Sequence, residues 1–451
     1  MSASRIIRAD LAFIDDDWIA DGAIAIAGDL IVDAGAAGPL IERNPGVDVE
    51  HWRDRILMPG GVNGHGHTFQ ALLRGFGDDL PFGDWMGRLV HPTAAGLTSE
   101  AIAVGVEYDL SEMLRMGITT AVEYFYLHDG ANDNAWTVIE AAKRVGLRLV
   151  FARCMFDADP GPVRYRESPG LYERNFRELR AATESDPYTH VQPAPHSVLG
   201  ASADMLRLGI DLAREFGAPM HVHAADSQGE VDVSHQRFGL SPIGRLQDVG
   251  ALAEHTLAVH AVRIDEDDLQ LLQQSGAAVV HNPSTNAFLA GGIAPLTRMI
   301  ELGIPVCLGT DAGGANSRQS IFEEMRMAAL LAKASTRDAT AVTAVDAIRM
   351  GTSAGGRILR LPVGRLAPGH YADLVGLDLQ ALSLRPRRTV TQNVVYSMLP
   401  EAIATVVVGG KEVVKNGEVL TTDTSRVAAR VDEVTASWKP LTGAHPFALD
   451  G

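Results

Sequence analysis

The chain has 451 residues, a formal net charge of −17, and 46% hydrophobic and 21% charged residues. That length exceeds one small core and predicts a large soluble domain with a smaller companion. The acidic balance argues against nucleic acid or an anionic membrane as the main partner, and no apolar run approaches the ~20 residues of a membrane-spanning helix.

The first residues, MSASRIIRADLAFIDDD, meet aspartates early and lack the apolar core of a secretion signal. Cys154 and Cys307 sit in the apolar runs LVFARC and IPVCLG and read as buried free thiols, which fits a cytoplasmic protein. Residues 1–56 read as short strands, including 5–13 and 23–27, separated by turns. From residue 57 to 361 the texture becomes strand-then-helix. Strand candidates fall at 56–62, 118–123, 147–153, 190–194, 219–223, 256–260, 277–281 and 304–309. Helical patterns at 99–116 and 205–216 each end at a glycine, Gly117 and Gly217, and 321–333 is amphipathic. Eight such units predict an α/β fold, a (β/α)8 barrel. Strands return over 362–428, at 372–377, 389–395, 404–408 and 412–415, with Asn416-Gly417 as a hairpin turn. The two flanking segments therefore predict one composite β-sandwich domain built from both chain ends. A helix at 427–438 and a polar end occupy the tail, 429–451.

In a barrel, the C-terminal ends of the strands share one mouth, where catalysis sits. His65 and His67 end the first strand. Residues i and i+2 of an extended strand share a face, so their imidazoles can converge on one point, as a metal site requires. His196 follows strand four, His221 and His223 end strand five with Asp226 three residues on, His260 ends strand six, His281 strand seven, and Asp311 follows strand eight. A single histidine at a strand end is more often structural than ligating. Histidine or aspartate at strands one, five, six and eight together points to a site. Periodicity does not choose between His221 and His223. Asp311 could cap a helix, but the Ala-Gly-Gly-Ala-Asn-Ser that follows weakens that reading.

The segments PGGVNGHGHTFQALLRG, HVHAAD, AVHAVRI, HNPSTNAFLAGGIAPLTRM, LGTDAGGANS and GRLAPGHYADLVGLD occur in that order along nearly the whole chain. The set resembles the amidohydrolase superfamily. It is most similar to the branch holding aminohydrolases of purines, pterins, triazines and S-adenosylhomocysteine, and formiminoglutamate deiminase. The resemblance implies that His65, His67, His223 and Asp311 hold a divalent metal ion, with zinc the first expectation and iron the second. Relatives with two metals carry a carboxylated lysine on strand four. The segment HVQPAPHS has none, which implies one ion. The implied chemistry is hydrolytic deamination of a small nitrogen heterocycle or amidine-like compound. Metal-activated hydroxide attacks, Asp311 takes the water's proton, His260 orients the nucleophile, and a carboxylic acid protonates the neighbouring ring nitrogen. A triazine-type chlorohydrolase or other C–N hydrolase is the alternative, and a catalytically weak metal-binding relative is a third reading. Relatives are commonly oligomers, so a homo-oligomer is expected.

Two departures stand out. The proton-shuttle position is usually Glu and here is Asp226, one methylene shorter. Asp226 acting on a shifted substrate is preferred over Glu230 as replacement, or over a reaction needing less ring protonation. Nucleoside deaminases acting on S-adenosylhomocysteine carry a ribose-binding Glu after the segment DDLPFGDW, whereas MGRLVHPTAAG has no acid, which disfavours a nucleoside. Gln70, Trp85 and His196 are expected to line the substrate pocket. Arg153 and Arg166 are weaker candidates for binding a carboxylate or carbonyl.

Overall fold

A computed structural model describes residues 2–159 and 161–442; the end of the tail expected over 429–451 lies outside the described residues. Among the described residues sixteen strands form in chain order. β1 (Arg5–Ile14), β2 (Asp17–Ala27), β3 (Leu30–Ala36) and β4 (Val49–Pro59) precede the barrel. The barrel strands are β5 (Gly61–Asn63), β6 (Ile118–Phe125), β7 (Arg148–Met155), β8 (Thr189–Pro195), β9 (Met220–Ala224), β10 (Thr256–His260), β11 (Ala278–His281) and β12 (Val306–Leu308). After them come β13 (Leu374–Asp378), β14 (Ile403–Val408), β15 (Lys411–Lys415) and β16 (Glu418–Val419).

β5 to β8 pair in parallel, as do β9 to β12. Two seams join these halves. At one, the His223 amide donates to His196 O at 3.0 Å. At the other, Gly64 N donates to Leu308 O at 2.8 Å and Asp311 N to His65 O at 3.0 Å. The barrel strands are buried almost throughout and rich in Val, Ile and Ala, as parallel strands covered by helices must be. The expected helices form at Ser99–Arg115, capped by the Thr98 side chain, at Ala203–Phe216, capped by Ser202, and at Ile321–Thr336.

The chain ends meet in one sheet of order β16-β15-β14-β13-β4-β1-β2-β3. The expected sandwich is thus a single hydrogen-bonded sheet that curls on itself. Its far edge returns to its middle, where Ile31 N donates to His370 O and Ala372 N to Asp29 O, both at 2.8 Å. Ile7, Ile24, Ile31, Leu57 and Leu374 fill the core so enclosed. Asn416 and Gly417 have φ of 51° and 80° and close the β15–β16 hairpin, as the dipeptide predicts.

Two expectations are corrected. Residues 56–62 are not one barrel strand: Ile56, Leu57 and Met58 belong to β4, paired with β1 on one side and β13 on the other. Pro59 has no N–H to continue the ladder. Gly60 then passes so close to Thr119 that an added Cβ would lie 2.1 Å from its Oγ1. The barrel therefore begins at Gly61. Residues 389–395 form a helix, Val390–Tyr396, instead of a strand. Asn393 donates to Leu384 O and Pro386 O, at 3.1 and 2.7 Å, while Val394 and Val395 are buried beside it. Tertiary packing overrides the β propensity of this Thr/Val-rich run.

The end sheet is fastened to the barrel by a buried ion pair. Arg148 on β7 donates Nε and Nη2 to the two Asp373 oxygens at 2.8 and 3.1 Å, with both side chains fully buried. The guanidinium also lies 3.5 Å from the Tyr371 ring centroid. Asp373→Ala leaves Arg148 buried without its counter-charge and is expected to cost about 3–5 kcal/mol. Urea unfolding checks this; a midpoint equal to wild type would overturn the assignment.

Candidate active site

Four of the eight strand ends supply the five residues of the cluster. His65 Nε2 lies 3.2 Å from His223 Nε2 and 3.6 Å from Asp311 Oδ1, and His67 Nε2 lies 3.8 Å from the same oxygen. His260 Nε2 sits 3.9 Å from the other oxygen, Oδ2. Asp311 therefore turns one oxygen toward the imidazoles of β5 and the other toward β10. These are the groups that can hold a metal ion: His65, His67 and His223 as one set, His65, His260 and Asp311 as another.

The surroundings decide which nitrogens are available. His67 Nδ1 lies 2.8 Å from Tyr124 O, and His223 Nδ1 lies 2.8 Å from His196 O. A carbonyl only accepts, so each Nδ1 carries the proton and each Nε2 keeps its lone pair. Burial, reinforced by neighbouring histidines, pushes the His67 imidazole down to about 3 and holds His223 well below the ordinary histidine range. Both rings are neutral at pH 7, as metal ligands must be. Two acceptor nitrogens facing a carboxylate are a mismatch that a cation resolves, so the donor set fits one divalent ion. His260 Nδ1 lies 3.0 Å from Asn286 Oδ1 and 3.2 Å from Asn282 Nδ2, so two side-chain amides govern its tautomer.

The backbone at the mouth is strained. Ala225, His260 and Asp311 are left-handed, with φ of 56°, 78° and 58°. Such residues cost of order 1 kcal/mol or more each and gather at functional sites. For Asp311 the turn is what carries the side chain back over the barrel; it does not cap the next helix, whose N-cap is Ala312. His221, which periodicity could not separate from His223, lies one layer deeper on the same face, with Nε2 2.7 Å from Gln192 Oε1.

A cavity opens over the cluster. Among its lining residues are Gln70, Trp85, His196, Asp226, His260 and Asp311, so every expected pocket residue borders it. Asp226 Oδ1 is buried without a protein partner. Glu230 lies behind Asp226: its Oε2 accepts the Asp226 amide at 3.0 Å, and burial together with the Asp226 charge pushes its carboxyl up. Glu230 does not line the cavity; it holds the Asp226 backbone from behind. Gln70 donates Nε2 to Tyr126 OH at 3.2 Å and leaves Oε1 unpartnered, and Trp85 Nε1 is also buried and free. The His196 ring stacks on Phe156 at 4.1 Å and 27°.

Arg153 and Arg166 are not pocket residues. Arg153 is fully buried in a two-pronged pair with Glu167, at 2.6 and 3.0 Å. Arg166 binds Gly161 O at 2.8 Å and pairs with Asp159. The residues that strand-end reading missed are on β6 and loop seven. Tyr124 accepts from His67 through its carbonyl and donates its hydroxyl to Pro195 O at 2.8 Å, and Tyr126 and Asn286 line the cavity. Two tyrosines at i and i+2 just past the apolar part of strand two were the available signal.

A parallel barrel with this cluster at its C-terminal mouth defines a metal-dependent hydrolase. The amidohydrolase family profile matches residues 56–413, and the chain belongs to that family. It is 34% identical over 426 residues to a 5-methylthioadenosine/S-adenosylhomocysteine deaminase from Nitratidesulfovibrio vulgaris, across 92% of this chain and 93% of that one. A zinc-bound adenosine deaminase from Xanthomonas campestris superposes with a TM-score of 0.89 at 29% identity, covering 96% of this chain and 98% of that chain. Atrazine chlorohydrolase from Arthrobacter aurescens, crystallised with zinc, shares the fold, with a TM-score of 0.88 at 21% identity over 95% of this chain and 99% of that chain.

Two outcomes are expected. His67→Ala lowers bound metal, measured by elemental analysis after reconstitution, well below the wild-type stoichiometry; a full equivalent retained would remove His67 from the ligand set. Separately, burial pushes His221 and His281 each to about 3, against about 6.5 in the unfolded chain. Between these values the unfolded chain binds protons that the folded chain refuses. Stability is complete above pH 6.5 and falls toward pH 3, by about 1.4 kcal/mol per pH unit for each group. Denaturation of metal-free protein from pH 7.5 to 5 tests this, and His281→Asn should flatten the slope.

Proposed function

We propose that the chain is a cytoplasmic hydrolytic deaminase of a small, uncharged, planar nitrogen heterocycle, using one divalent ion, with zinc first, held by His65, His67, His223 and Asp311. The observation that carries this reading is the cavity wall. Asp226 offers a free buried carboxylate oxygen over the imidazole cluster, while no Lys or Arg is among the described lining residues. Without a cation, a carboxylate or phosphate on the substrate would be buried unpaired, which is costly. Phe82 and Trp85, whose rings are 6.3 Å apart and inclined by 24°, form an apolar flank for a flat ring. Gln70 Oε1 and Asp226 Oδ1 can accept from its edge, and Trp85 Nε1 can donate to it. The names of the relatives, deaminases of adenosine and its thioether derivatives, support release of an exocyclic amine.

An ion in this site supplies Lewis acidity that brings proton loss from water toward neutral pH. The protein's own groups then divide the work. Asp311 presents Oδ1 to the ligand imidazoles and keeps Oδ2 toward His260, where it can accept the water's proton. His260 orients the attacking oxygen. Asp226 carries one of the water's protons to the ring nitrogen beside the reacting carbon, and Asp311 passes the other to the exocyclic nitrogen, which leaves as ammonia. The shorter side chain of Asp226 requires the ring to sit closer to β9 than a glutamate would allow. The same shortness favours, as a second reading, a substrate whose leaving group needs less ring protonation, such as a chlorotriazine.

Zinc-reconstituted protein assayed against adenosine, 5′-methylthioadenosine, guanine, pterins and triazines should release ammonia from at least one. Halide release without ammonia selects the second reading; neither product from any compound rejects both. Asp226→Asn should lower kcat by about 10²–10⁴-fold with metal content unchanged. Turnover within a few-fold of wild type would exclude Asp226 as the proton donor.

A further inference from the structure

We infer that Trp438, near the C-terminus, is a positioning residue for the substrate pocket, acting through Phe76 and Gly77 on Trp85. The inference concerns the aromatic wall of the cavity assigned above, and rests on that assignment for its bearing on substrate.

The segment that supplies Phe82, Trp85 and Met86 to the cavity leaves the barrel after Leu73 and returns only at the helix Ser99–Arg115. An excursion of this length has no sheet to hold it and must be packed from outside. Part of it, Trp85–Val90, is a π-helix, a rare form frequent at functional sites. The packing comes from the other end of the chain. Beyond the helix Thr424–Thr435, the Trp438 ring meets Phe76 edge to face, with centroids 5.8 Å apart. Leu441 N donates to Phe76 O at 2.7 Å, and Thr442 Oγ1 donates to Asp78 O at 2.6 Å.

Between those two anchored carbonyls lies Gly77. An added Cβ there would stand 2.7 Å from Leu89 Cδ2 and 3.3 Å from Trp85 Cδ1. The backbone that the tail grips is thus the surface on which Trp85 and Leu89 rest. Trp85, Leu89, Ala312 and Ala315 form one apolar cluster that Phe76, Trp438 and Leu441 complete from outside. Ala312 directly follows Asp311, so the cluster joins the substrate wall to the strand-eight loop. None of Trp438, Leu441 and Thr442 lines the cavity; their effect on a ligand is indirect, through where Trp85 stands.

The test uses the full-length, zinc-loaded protein and three variants: Trp438→Ala, Trp438→Phe and Leu441→Pro, the last removing the N–H that holds Phe76 O. In Trp438→Ala and Leu441→Pro, amide hydrogen exchange over residues 77–90 should accelerate about tenfold or more, with exchange in β9 to β12 and the metal content unchanged. Trp438→Phe, which keeps an aromatic ring on Phe76, should restore protection. With whichever compound of the panel releases ammonia, KM should rise about tenfold while kcat stays within about threefold. Unaltered exchange over 77–90 in both disruptive variants overturns the inference, and does so whether or not a substrate has been found. Loss of protection throughout the barrel also overturns it, because Trp438 would then be a general stability residue. Loosened exchange with an unchanged KM overturns the link to substrate.

Discussion

The structure depends on where two backbone carbonyls end up. Tyr124 O and His196 O each fix the Nδ1 proton of a histidine, His67 and His223, and so turn the opposite nitrogens inward with their lone pairs free. A buried neutral imidazole with the wrong tautomer would point a proton at the cation and bind nothing. The carbonyls themselves are set by Tyr124, whose hydroxyl donates to Pro195 O and His196 O at 2.8 and 3.1 Å. One residue on β6 thus spans the ends of β5, β8 and β9.

Closing the barrel is the other half of this arrangement. Its two seams are the places where the strand ladders are thinnest, and both carry site residues in their few hydrogen bonds: His65 with Asp311, and His196 with His223. The cluster is distant in sequence yet local in space because the ladder brings the first and last strands side by side. The left-handed backbone at Asp311 is held by the same network: Thr310 N donates to Asn63 Oδ1 at 2.9 Å and Asn316 Nδ2 to Thr310 O at 2.8 Å. Binding a cation among these groups would offset part of the strain and of the unpaired polarity they carry.

Around that centre, other parts of the chain build the cavity wall. Asp226 follows a left-handed Ala225 and is braced by Glu230 through its amide, leaving its carboxylate free for a ligand. The aromatic wall at Trp85 belongs to a long excursion packed by the chain's last described residues. The imidazole–carboxylate cluster stands on strand ends and the aromatic wall of the cavity on loops. This division lets one barrel serve many leaving groups and rings.

Seven of the eight barrel strands, and the placing of the His-x-His pair, His260 and Asp311 at strand ends, were legible in the sequence because each rule involved is local: apolar runs make strands, capping residues end helices, and chemistry-bearing side chains follow strand ends. The order of motifs such as HVHAAD and LGTDAGGANS supplied the family. What remained closed depended on partners far along the chain. Ile56–Met58 looked like the start of the barrel, and only pairing with β13, over three hundred residues later, places them in the end sheet. Residues 389–395 carried a strand's composition, and burial of Asn393 against the preceding turn made them a helix. Arg153 looked available for a ligand until Glu167 was found against it. His221 and His223 share a face by periodicity; the resemblance favoured His223, and depth in the closed barrel is the physical difference between them. A sequence determines which side chains a segment carries and how it prefers to bend. Which of them meet, and which are left unpaired for a ligand, is decided by hydrogen bonds and burial between segments that only the closed barrel brings together.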